Sequence, residues 1–298
     1  MPVPVPWGAS LSIARSLLFA GVALTLLVNP VTVLFTTSSV QPVAPVCDAY
    51  NAWTLFCIAN DSLDLARVIA AVALILCATG FVPWLTAVPG AFLVLSFAMT
   101  TTLGDGGDQL YGILALLLVP VSITDWRLSS WRPVIDRRFE EQRAAIAVVG
   151  WFMIRAQIFI VYLEAAVGKL AVPEWANGTA MYYWLRSPTF GPGELLAPFV
   201  QFATSVPVIA ALATFGTIAL EFLLAIGPLI AARARPALLF LGLGLHGAIA
   251  LLMGITSFSI VMAAALFLHL APINGAFPAL RTGRGDLLAP QRLAEARA

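Results

Sequence analysis

The chain has 298 residues, 60% of them hydrophobic and 10% charged, with a formal net charge of +1. Soluble domains carry about 25% charged residues, so this composition cannot cover a water-facing surface. It reads as an all-α integral membrane protein, and the near-neutral charge gives no footing for nucleic acid.

Apolar runs approach the roughly 20 residues that cross a hydrocarbon core. The ten-residue alternation of an outer-membrane barrel is absent. So are a Walker motif, a dinucleotide fingerprint, HExxH and a CxxC pair.

The first apolar run covers residues 11–35, with Arg15 near its start and Pro30 near its end. It is long for a signal peptide and no clear A-x-A site follows, which predicts an uncleaved span. A polar segment, 36–64, holds Cys47 and Cys57 and no lysine or arginine. Further spans are predicted at 65–80, 83–103, 110–123, 144–170, 206–232, 236–253 and 257–271. Between them lie "GDGGDQ", an arginine-rich loop at 125–143, and a polar-aromatic segment at 171–194. "LLAPFVQFA" reads as a short helix lying at the interface. The expected architecture is a helical bundle of about eight spans, residues 1–271, with a polar tail at 272–298.

Arginines orient this bundle. Arg127, Arg132, Arg137, Arg138, Arg143, Arg233, Arg235, Arg281, Arg284, Arg292 and Arg297 all fall on one side. The other side holds chiefly Arg67, Lys169 and Arg186. By the positive-inside rule both termini are cytoplasmic in a bacterial plasma membrane, and a polar mouth faces outward. Cys47 and Cys57 then face an oxidising compartment, which predicts a disulfide, with two free thiols as the alternative. Cys77, inside a span, reads as a packing residue.

Ionisable residues within spans are costly and usually paired or functional. Arg155 and Glu221 lie at matching depth on consecutive spans, which predicts a buried ion pair serving as helix clamp or proton relay. His246 stands beside Gly242, Gly244 and Gly247, where helices can approach closely. It reads as a packed intramembrane histidine, and no metal site is supported. Glu164 lies near the outer end of its span, on a different face from Lys169. In "TTLGDGGDQLYG", Asp105, Asp108 and Gln109 form either a helix-connecting turn or a site for a cation or a substrate amide. Glu174, Trp175, Tyr182 and Tyr183 are further substrate- or ion-binding candidates in the outer segment.

Lys169 is the chain's single lysine among sixteen lysines and arginines. A snorkelling anchor or a salt bridge could use arginine, which the chain chooses everywhere else. Only lysine can lose its proton readily and act as a base, so Lys169 is a candidate catalytic base.

These segments in this order resemble the SdpB family, the sporulation-delaying-protein B group of antimicrobial-peptide systems. The carrying residues are "GDGGDQ", "PVSITDWR", "YLEAAVGKL…EWANGTAMYYWL" and "SPTFG". The resemblance spans residues 10–270 and places the chain in the wider HTTM group, which includes the vitamin K-dependent γ-glutamyl carboxylases. It implies a membrane component that matures or exports a secreted toxin peptide together with an SdpA-like partner. In the carboxylases the lysine matching Lys169 is the base that deprotonates reduced vitamin K, so a quinone-like cofactor is also implied. The carboxylases' large β-rich domain has no counterpart here, which argues against carboxylation by this chain alone. A non-enzymatic scaffold, a transporter and an immunity-like protein stay open.

Overall fold

The computed structural model describes residues 5–37, 43–102, 106–134 and 139–273, with the side chains of 106–109 outside that description. Its helices are α1 (Ala9–Val28), α2 (Val31–Leu34), α3 (Leu55–Ile58), α4 (Leu63–Ala78), α5 (Pro83–Ala98), α6 (Gly106–Ile123) and α7 (Glu140–Lys169). They continue with α8 (Pro173–Ala176), α9 (Ala180–Trp184), α10 (Ala197–Ser205), α11 (Pro207–Ala225), α12 (Arg235–Met253) and α13 (Thr256–Leu270). No strand occurs among the described residues, only an isolated bridge between Phe81 and Ser129.

A long helix occupies each expected span, and local chemistry trims its ends. α1 stops at Val28 because Pro30 cannot continue the hydrogen-bond ladder. α11 stops at Ala225, ahead of Gly227 and Pro228. α5, α11 and α12 each open with a proline in the first turn, where a missing N–H costs nothing. α12 closes on Gly254 at φ +73°, a left-handed cap that glycine adopts without strain. α7 carries Glu140 and Glu141 in its first turn and Lys169 in its last, both matching the helix dipole.

Among the described residues four helices are long and apolar enough to cross a membrane: α1, α7, α11 and α12. Pro83–Ala98, Leu110–Ile123 and Thr256–Leu270 are apolar but shorter. α1 is central, packed on α4 and α13, while α5 lies on α6, α7 on α11 and α6, and α12 on α13. The core is one contiguous cluster that includes Leu18, Phe97, Leu114, Trp151 and Leu266. α11 and α12 keep large apolar side chains exposed, among them Val208, Leu212, Phe240 and Leu251. Such a surface is untenable in water and natural against lipid.

At one end the start of α1 meets the end of α6 and the start of α7. There the Trp7 indole donates to the Val121 carbonyl at 3.1 Å. The Arg143 guanidinium lies 5.1 Å from the Trp7 ring and 4.3 Å from that of Trp126. At the opposite end Arg67 donates to the Leu26 and Asn29 carbonyls, closing the end of α1. Cys47 and Cys57 are joined as a disulfide, as the sequence predicts, and Cys77 is free and buried.

Candidate functional site

The expected Arg155–Glu221 pair is not what the structure holds. Arg155 instead donates to the carbonyls of Leu268 and Ala271 at the end of α13, with its guanidinium 5.8 Å from the Trp151 ring. Glu221 pairs with Lys169, whose Nζ donates to Oε1 at 2.8 Å and to Oε2 at 2.7 Å. The reason is side-chain direction. Helical side chains lean toward their own N-terminus. On antiparallel neighbours, Arg155 therefore leans away from Glu221, while Lys169 and Glu221 lean toward each other. The Lys169 amine also donates back to the Ala165 carbonyl at 3.3 Å, which records that lean.

The ion pair is largely enclosed, with side-chain exposures of 22% for Lys169 and 12% for Glu221. The Trp175 ring closes over the ammonium, its centroid 5.1 Å from Nζ. Tyr162 lies seven residues before Lys169, two turns along one face of α7. Its buried hydroxyl hydrogen-bonds His246 Nε2 at 2.9 Å. Phe258 stacks edge-on to the imidazole, with ring centroids 5.6 Å apart. His246 Nδ1 is buried and has no hydrogen-bond partner among the described residues. One buried polar cluster thus links α7, α11 and α12.

Beside it lie α11 and α12. An apolar groove of about 330 Å³ runs between them, lined by residues that include Leu212, Gly216, Thr217, Leu220, Leu245 and Ile249. Leu220 and Leu245 of its lining are the sequence neighbours of Glu221 and His246. Of the three glycines near His246, only Gly242 marks a close approach. A Cβ there would stand 2.8 Å from Leu266, whereas Gly244 and Gly247 have nothing within 4 Å.

The outer-segment candidates separate. Glu174, Trp175 and Tyr183 line a common recess with Val172 and Trp184, about 470 Å³ in volume. Tyr182 turns away to carry Arg186, whose Cζ is 3.7 Å from its ring. Arg186 also donates to Thr204 Oγ1 and the Gln201 carbonyl, tying α9 to α10. Glu164 is exposed and joins neither cluster. Asp105 lies outside the described residues, as do the side chains of Asp108 and Gln109, and among the described residues no group of three or more metal-ligating side chains occurs.

Two contributors escape the sequence reading. Tyr162 is signalled only by its seven-residue spacing from Lys169. His269 is buried, with Nε2 3.1 Å from the Leu224 carbonyl and 3.0 Å from that of Ala225. Its position in the last turn of α13 is the kind of place where histidines cap carbonyls, here those ending α11.

Residues 107–272 match the HTTM domain, a stretch that takes in Tyr162, Lys169, Glu221 and His246. Uncharacterized protein YitO of Bacillus subtilis (strain 168) is 28% identical over 274 residues, covering 90% of this chain and 87% of YitO. Sporulation-delaying protein SdpB of the same organism is 31% identical over 278 residues, covering 90% of this chain and 83% of SdpB. No solved structure matches the chain. With its helical bundle, its membrane-length helices and this similarity along nearly its whole length, the chain belongs to the HTTM family as an SdpB-like membrane protein.

Proposed function

We propose that this chain is a multi-pass plasma-membrane component that matures a secreted antimicrobial or toxin peptide with an SdpA-like partner, and that Lys169 is the base of its site. The carrying observation is the placement of the single lysine. Its amine is enclosed against one carboxylate, beside a buried tyrosine–histidine pair, in a chain similar to SdpB. Transfer of the ammonium proton to Glu221 leaves a neutral amine beside a carboxylic acid, the form in which lysine acts as a base. Tyr162 and His246 offer a second station for that proton.

In this reading residues 1–271 form one domain in which α1, α4, α5, α6, α7, α11, α12 and α13 span the bilayer, the shorter ones together with their flanking residues. The arginine-rich end and the tail at 272–298 face the cytoplasm. The Lys169 end opens outward as a polar mouth to which Asp105, Asp108 and Gln109 contribute. The residues present suit a quinone-like cofactor: the groove between α11 and α12 would hold an isoprenoid tail along Leu212, Leu220 and Leu245. Such a group, bound in its reduced hydroquinone form, would supply an ionisable hydroxyl and redox chemistry. This chain's part is to position it and to hold or accept a proton at Lys169 Nζ.

A second reading is a non-enzymatic scaffold. It is favoured by the way Lys169 and Glu221 complete the α7–α11 contact unaided, as a helix clamp would. Mass spectrometry of the precursor peptide from cells carrying wild type or Lys169→Arg separates the two. The proposal expects normal membrane insertion and no mature peptide from the variant. Maturation at the normal rate would remove Lys169 as a base and leave the scaffold.

A further inference from the structure

The recess in front of Trp175 presents three aromatic side chains, Trp175, Tyr183 and Trp184, with Val172 and a single carboxylate, Glu174. Glu174 is exposed, and its carboxylate makes no ion pair among the described residues. Behind Trp175 the Lys169 charge is matched by Glu221. The other nearby cation, Arg186, is committed to Tyr182, Thr204 and Gln201. Lys169, Glu221, Arg186 and Glu174 are thus balanced in sum, and Glu174, the carboxylate among them without an ion-pair partner, faces the recess.

Aromatic faces around a carboxylate are the chemistry that recognises an ammonium or a guanidinium. The ring quadrupoles attract the cation and the acid supplies the counter-charge. A divalent metal would need more oxygen ligands than one carboxylate offers. A zwitterionic lipid headgroup would bring a phosphate that Glu174 repels, whereas a peptide side chain brings its cation alone. We propose that this recess binds a lysine or arginine side chain of the peptide on which the protein acts, held between Trp175, Tyr183 and Trp184 with Glu174 as its counter-ion. The identity of the bearer rests on the peptide-maturation reading above; the cation preference rests on the recess itself.

The test uses the full chain purified in detergent at low ionic strength, where screening is weakest. The probe is the peptide acetyl-Gly-Arg-Gly-amide, followed by tryptophan fluorescence, with the citrulline peptide and phosphocholine as comparators. A saturable change is expected with the arginine peptide, at least tenfold weaker with citrulline, and none with phosphocholine. Glu174→Gln should weaken arginine binding at least tenfold without altering thermal stability, because the side chain is exposed. Tyr183→Leu, also at an exposed side chain, should weaken it as well and serves as the second variant should Glu174→Gln not fold. No saturable response, an equal response to citrulline, or unchanged binding in both variants would overturn the proposal. Stronger binding of phosphocholine would assign the recess to lipid and overturn it too. Lost binding with maturation still dependent on Lys169 would sink the recess alone. Intact binding with maturation independent of this chain would sink the maturation reading alone.

Discussion

Arg155 and Lys169 are borne by the same helix and meet opposite kinds of partner. Arg155 donates to two backbone carbonyls where α13 ends, against the ring of Trp151. Lys169 closes on a carboxylate under the ring of Trp175. A guanidinium spreads its charge over five donors and can satisfy several carbonyl dipoles at once. From the middle of α7 Arg155 caps the end of α13, and Arg235 does likewise for the carbonyls of Pro228 and Ile230. An ammonium facing an acid has a proton with somewhere to go. The middle of α7 is architecture, and its last turn has the makings of chemistry.

Lys169→Met tests that contrast with the largest effect. It strands Glu221 among apolar helices and should cost about 3–5 kcal/mol, read as lost thermal stability of the detergent-purified protein. Adding Glu221→Leu should return most of that loss. A double variant as unstable as the two single variants summed would mean that the residues are not coupled.

The Lys169 end also carries a covalent staple that the arginine-rich end lacks among the described residues. Replacing Cys47 and Cys57 with serine should cost about 2–4 kcal/mol in the same melt. Thiol labelling of the denatured, unreduced wild type should find Cys77 alone, and three labelled cysteines would rule the bridge out.

Arg155→Leu should cost less, about 1.5–3 kcal/mol, the worth of its charge-assisted hydrogen bonds to carbonyls. The loss should be the same in wild-type and Glu221→Leu backgrounds. Rescue by Glu221→Leu would restore the pairing predicted from sequence depth and erase the contrast. Smallest is Tyr162→Phe, at about 1 kcal/mol for one neutral hydrogen bond. Its effect on peptide maturation, if Tyr162 passes protons, should exceed anything that stability loss explains.

Helix positions were legible as apolar runs, and so was the end of α12 before Gly254, but the runs at 11–35 and 206–232 pass Pro30 and Gly227, where the helices stop. The disulfide was legible because its two cysteines share a segment without basic residues. Which intramembrane charges pair was not legible from depth. Counting residues locates Cα atoms, while Arg155, Lys169 and Glu221 meet their partners a side-chain length away, in a direction fixed by helix polarity. Glu174, Trp175 and Tyr183 share a recess because α9 folds back on α11, where the Met181 amide donates to Thr214 Oγ1 at 3.2 Å. No periodicity within residues 171–194 reveals that turn. The role of Gly242, and not of Gly244 or Gly247, depends on which face of α12 meets Leu266.

Because lysine occurs once in this chain, the side chain closed against Glu221 is also a built-in chemical reporter. Amine-directed reagents can mark this position and the amino terminus and no other amine. Reductive methylation with ¹³C-formaldehyde would place one side-chain resonance inside the ion pair. Its line would follow the pair's opening, its solvent access and the arrival of a neighbour at Trp175, in a pair that keeps its charge and one N–H donor after dimethylation.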